Sequence, residues 1–139
     1  TSLIAGLPGE GEAEFEELCE FLREARIERV GVFPFAPEEG TPAAKMEHVD
    51  EDEARRRADL IMQLQAPIMD DFCQSFVGKT IRVLCVGYDE ELQRCIGRSY
   101  ADSPDIDGLV YFTGRCPEGE MTDVLISGAD DGMLIGDEI

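Results

Sequence analysis

The chain has 139 residues, 43% of them hydrophobic, with 31 acidic against 12 basic side chains and a net charge of −19. That length holds one ordinary domain, or a small domain with part of another, and the apolar content supports a packed core, which excludes a disordered chain. Both halves are acidic, with 18 acidic against 7 basic residues up to Gln74 and 13 against 5 beyond it; neither offers the basic footprint that nucleic-acid phosphates require, whereas a basic partner protein, or plain solubility, accounts for the charge.

Thr1 to Leu7 reads as an apolar strand running into a tight turn, Pro8-Gly9-Glu10-Gly11. From Glu12, apolar residues fall at Phe15, Leu18, Cys19, Leu22 and Ala25, the spacing of a one-sided helix. Gly11 serves as its N-cap with Glu14 three residues on, acidic residues crowd its first turns, and Arg23, Arg26 and Arg29 complement its other end. A second strand, Val30 to Phe35, completes a βαβ unit, which predicts parallel strands covered by helices. Two strands and a helix bury too little surface to offset chain entropy, so further strands are expected in a longer parent or a partner, the chain being a C-terminal fragment.

The second strand breaks into a loop with Pro37, Gly40 and Pro42, and two carboxylates, Glu38 and Glu39, at its tip. In a βαβ unit this loop and the Gly6 to Glu10 turn leave the same, C-terminal edge of the strands, where sites are commonly built. Asp50 to Glu53 open a long helix whose stripe is Ala54, Ala58, Ile61, Met62, Gln65, Ile68, Met69 and Phe72; Arg55, Arg56, Arg57 and Asp59 fall mainly off it, and Pro67 is expected to kink or split it. From Phe76 the period becomes two. Strands are expected at Thr80 to Val86, Cys95 to Ser99, Leu109 to Thr113 (after an Asp107-Gly108 turn), Glu120 to Ser127 and Met133 to Gly136. Five short strands predict a small closed barrel rather than a sandwich, and a domain boundary near Gln74. The fold class is therefore α/β followed by all-β.

The five cysteines, Cys19, Cys73, Cys85, Cys95 and Cys116, contain no C-x-x-C, and the one histidine, His48, has none near it in sequence. No zinc or iron-sulfur spacing is present. An odd count without a signal peptide predicts reduced thiols in a cytoplasm; Cys19 and Cys85 sit at core positions, and no apolar run reaches membrane-spanning length.

The order I-x-G-x-P-G-E (Ile4 to Glu10), apolar helix, G-V-F-P-F-A-P-E-E-G-T-P-A (Gly31 to Ala43), M-x-L-Q (Met62 to Gln65) and G-R-S-Y-A-D-S-P-D-I-D-G (Gly97 to Gly108) resembles the C-terminal part of the radical-SAM methylthiotransferases. The resemblance runs through essentially the whole chain. It implies that residues 1–74 are the closing part of a partial TIM-like barrel plus a linking helix, and residues 75–139 a five-stranded, OB-like TRAM barrel. The P-E-E-G-T wording at Pro37 to Thr41 and the acidic closing barrel resemble the RimO-type branch. That branch methylthiolates an aspartate β-carbon in a basic small-subunit ribosomal protein. The alternatives are the tRNA-adenosine branch of the same superfamily and a non-catalytic ribosome- or RNA-binding module.

The resemblance further implies S-adenosylmethionine and two four-iron, four-sulfur clusters in the parent, with the cluster cysteines outside this chain. The fragment alone should be inactive, monomeric and cytoplasmic. Carried across residue by residue, Ile4, Gly6, Pro8, Gly9, Phe33, Pro34 and Phe35 would line one side of the cofactor pocket; Ile4 and Phe33 read equally as barrel core. Glu10 would accept a hydrogen bond from the cofactor or cap the helix. Glu38 and Glu39 would contact the basic substrate. Relatives usually carry Thr after P-G-E, and Gly11 replaces it here, giving up a side-chain cap. Arg98, Asp102, Asp105 and Asp107 resemble the family signature, in a loop read as structural.

Overall fold

A computed structural model describes residues 1–104 and 108–139, so the expectations at Asp105 and at the Asp107-Gly108 turn lie outside the described residues. The chain forms two compact units, Thr1–Ile68 and Met69–Ile139.

In the first unit β1 (Ser2–Ala5) and β2 (Gly31–Pro34) pair in parallel, with Leu3 opposite Val32 and Ile4 opposite Phe33, and α1 (Glu12–Ala25) connects them. Successive side chains of a strand point to opposite faces. Leu3, Ala5 and Val32 accordingly pack with Phe15, Cys19 and Leu22 of α1 and with Ala58 and Ile61 of α2 (Glu51–Gln74). Burying a side chain such as Leu22 contributes about 1.5–3 kcal/mol, and Leu22 and Ile61 are fully buried. The other face of the pair carries Ile4 and Phe33, 48% and 60% exposed. Both strands are shorter than their apolar runs. α1 ends at Arg26 in the left-handed region (φ 46°), whose N–H donates to the Leu22 carbonyl.

α2 is continuous through Pro67, so of the two expected outcomes, a kink or a split, the split does not occur. Proline removes one N–H donor, and the buried stripe of Ile61, Gln65 and Ile68 reaches up to it. The stripe also differs in two residues from its expected membership. Met62 is 48% exposed, and Arg57, expected off the stripe, is only 5% exposed, because carboxylates meet it inside.

In the second unit the strands β3 (Thr80–Asp89), β4 (Arg94–Arg98), β5 (Val110–Thr113), β6 (Met121–Asp130) and β7 (Met133–Glu138) close into a barrel in the order β3-β4-β5-β7-β6. Every pairing is antiparallel except β5 with β7. Period-two alternation puts Val83, Cys85, Cys95, Val110, Phe112, Val124, Ile126 and Leu134 inside, and Cys73 and Phe76 join this core. Bulges at Cys85/Gly87 in β3 and Ile126/Gly128 in β6 bend the two longest strands, as closure of so small a barrel requires. Gly97 of β4 faces the packed interior, where an added Cβ would lie 2.2 Å from Val83 Cγ1.

Candidate functional site

The site is built on the two loops leaving the C-terminal ends of β1 and β2. In the first, Gly6 and Gly9 adopt φ of 79° and 86°, conformations that side chains disfavour. Gly6 is fixed by space as well: an added Cβ would meet Ala54 Cβ of α2 at 2.4 Å. Glu10 holds this turn closed. Its N–H donates to the Leu7 carbonyl at 2.9 Å, and its Oε1 accepts the Gly6 N–H at 3.0 Å and an Arg57 Nη1 hydrogen at 3.0 Å. Arg57 also donates to the Glu10 carbonyl at 2.8 Å and through Nε to Glu53 Oε1 at 3.0 Å, while its guanidinium lies 5.5 Å from the Phe15 ring centre. The Glu10 carboxylate therefore does not cap α1, correcting one of its two expected roles; Glu14 Oε2, accepting the Gly11 N–H at 2.9 Å, faces that end.

The second loop is folded on itself by Thr41. Its hydroxyl donates to the Glu38 carbonyl at 2.7 Å and accepts the Ala44 N–H at 3.3 Å, capping a short 3-10 turn over Pro42–Lys45. Ser, Thr, Asp and Asn cap helical turns in this way, so the capping threonine was readable at Thr41-Pro42. The His48 ring pairs with the Ala43 carbonyl at 2.9 Å and leans on Phe35, ring centres 5.6 Å apart. Pro8, Gly9, Glu10 and Gly11 of the first loop line a cavity of about 530 Å³ together with Met46, Glu47, His48 and Val49. Of the residues expected at the cofactor, Pro8 and Gly9 lie in that cavity, and Ile4 and Phe33 are cross-strand neighbours on the open face of the pair. Pro34 is exposed at the end of β2, and Phe35, half-buried, donates its N–H to the Ala5 carbonyl at 2.8 Å. Glu38 and Glu39 are exposed at the loop tip. Met46, Glu47, His48 and Val49 were missed, because only the fold of the second loop returns them to the first.

Residues 77–139 match the TRAM domain family. The whole chain is similar to proteins named ribosomal protein uS12 methylthiotransferase RimO. The relative from Anaeromyxobacter sp. (strain Fw109-5) is 45% identical, over 98% of this chain and 30% of its own length. Those from Bdellovibrio bacteriovorus and Trichormus variabilis are 39% and 42% identical, over 99% and 98% of this chain and 31% of their own lengths in each case. The chain belongs to the RimO-type methylthiotransferase family. It spans about a third of the length of these curated relatives.

In this RimO-type chain the electrostatics of the first unit centre on α2. Arg56 and Arg57 hold the Glu53 carboxyl down at about 2, the Arg56 hydrogen bond being the largest cause. Burial pushes the thiols of Cys19, Cys95 and Cys116 above their ordinary range, so they rest protonated and are poor ligands and nucleophiles. Among the described residues no group of three or more His, Cys, Asp or Glu side chains is arranged to hold a metal ion, and no helix is long and apolar enough to cross a membrane.

Proposed function

We propose that this chain is the part of a radical-SAM methylthiotransferase that lines one side of the S-adenosylmethionine pocket and carries the substrate-binding TRAM barrel. The parent enzyme would exchange a hydrogen on the β-carbon of an aspartate in a small-subunit ribosomal protein for a methylthio group. Residues 1–74 would be the closing part of the catalytic barrel with its linking helix, and residues 75–139 the TRAM domain.

The observation that carries this reading is the similarity to uS12 methylthiotransferases along 98% or more of the chain. The geometry supports it. Ile4 and Phe33 offer a flat apolar surface of two adjacent side chains on the face of the β1–β2 pair away from the helices, which fits one side of a purine ring. Pro8 and Gly9 would offer the open side of the turn, a Cβ on Gly9 meeting nothing within 4 Å, Gly6 would shape the turn by its close approach to Ala54, and Pro34 and Phe35 would continue the wall from β2. When bound, S-adenosylmethionine and its iron-sulfur cluster supply the radical that removes the hydrogen, the cluster ligands lying outside this chain. The residues present here orient the cofactor and exclude water from one side. Glu38 and Glu39, exposed on the rim, would meet the basic substrate.

The test uses the parent enzyme with Ile4→Ala and Phe33→Ala. Each is expected to raise the KM for S-adenosylmethionine about tenfold, as loss of about 1.4 kcal/mol of apolar contact would. An unchanged KM in both variants would remove these residues from the pocket.

A further inference from the structure

The second loop is fastened where it begins and where it ends. Phe35 begins it, held to β1 by its N–H, which donates to the Ala5 carbonyl at 2.8 Å. His48 ends it, and its ring lies against that of Phe35, centres 5.6 Å apart and planes inclined by 53°. His48 also reaches back into the loop, its Nε2 lying 2.9 Å from the Ala43 carbonyl oxygen, which already accepts the Met46 N–H at 3.2 Å. A carbonyl only accepts, so Nε2 is the nitrogen that carries the hydrogen, and it takes the second lone pair of that oxygen. At the other end of the same 3-10 turn, the Thr41 hydroxyl donates to the Glu38 carbonyl at 2.7 Å. Contacts thus run from β1 through Phe35 and His48 to the turn, and from the turn to Glu38.

Burial does little to hold this loop: Ala36 to Gly40 and Lys45 to His48 are exposed. A segment with few buried contacts opens at small cost, so the contacts at its neck govern how far it stays closed. We propose that His48 is a positioning residue, a clasp that joins the two ends of the loop. It thereby sets both the Phe35 ring, in the wall assigned to S-adenosylmethionine, and Glu38 and Glu39, assigned to the basic substrate. The inference rests on the function proposed above and adds a coupling to it. Loss of a wall residue weakens the cofactor alone, and loss of a rim carboxylate weakens the protein substrate alone. Release of the clasp weakens both, although His48 is placed to act through Phe35 and Ala43 and not on either ligand.

The test uses the parent enzyme with His48→Ala, His48→Phe and His48→Gln, thermal melting confirming that each is folded. His48→Ala is expected to raise the KM for S-adenosylmethionine and the KM for the ribosomal protein together, each about fivefold, with kcat little changed. His48→Phe keeps a ring against Phe35 and His48→Gln keeps a donor for Ala43, so each should recover part of the loss. Trypsin under native conditions should cut after Lys45 faster in His48→Ala than in the unaltered enzyme, a readout independent of both ligands. Ile4→Ala and Phe33→Ala are measured alongside: a raised KM in His48→Ala with none in these two counts against the pocket wall and not against the clasp. Unchanged cleavage, unchanged KM values, a KM that moves for one ligand alone, or His48→Phe and His48→Gln no better than His48→Ala would overturn the proposal.

Discussion

Arg57 is the residue on which the first loop depends. Its side chain and that of Glu10 are 6% and 11% exposed and 3.0 Å apart. Removing one partner of a buried ion pair leaves the other charged and unsatisfied, at about 3–5 kcal/mol. Arg57→Met is therefore expected to lower the melting temperature sharply, and Arg57→Met with Glu10→Gln to recover most of the loss, both measured by thermal denaturation. Gly6→Ala sets a side chain in the left-handed region against Ala54 and is expected to cost about 1–3 kcal/mol. Glu53 gives a pH signature. Its carboxyl is depressed from 4.5 to about 2 in the folded chain, so its contribution is full above pH 4.5 and lost as pH falls towards 2. Glu53→Gln should flatten the acid limb of a stability-versus-pH curve in that window. The sequence placed Arg57 off the buried stripe because period alone ranks arginine as solvent-facing; its partner lies 47 residues away, a distance no local pattern spans. Glu10 was legible as a turn residue, though not as the acceptor closing its own turn.

At the scale of elements, period and turn chemistry located both α-helices and the seven strands of the described residues, because each depends on local spacing. Strand lengths were less legible: β3 runs to Asp89 and β6 to Asp130, their ends set by pairing across the barrel and by bulges. The 3-10 turn at Pro42–Lys45 was missed, although Thr41 before Pro42 carries its signal. Pro67 failed to divide α2 because one lost hydrogen bond is small beside the packing along it. Pro67→Ala should accordingly stabilise the helix, by up to about 3 kcal/mol, read as a higher denaturant midpoint with unchanged slope. In the barrel, Phe112 is fully buried among Val110, Val124 and Ile126, and Phe112→Ala is expected to cost about 3–5 kcal/mol.

For the whole molecule, a charge of −19 complements a basic protein, the kind of substrate that the proposed function gives to the parent enzyme. Net charge is legible from composition, whereas the cavity between the two loops is not, since it exists only when the second loop returns on itself. An acidic chain attracts a basic protein and repels nucleic-acid phosphates, and screening weakens both effects. The measurement that bears most directly on the proposed function offers the parent enzyme, with S-adenosylmethionine and reconstituted clusters, the ribosomal protein uS12 and tRNA side by side. Mass spectrometry on both should find one methylthio group on a uS12 aspartate, with yield falling as salt is raised, and tRNA unchanged; a mass gain on tRNA alone would contradict it.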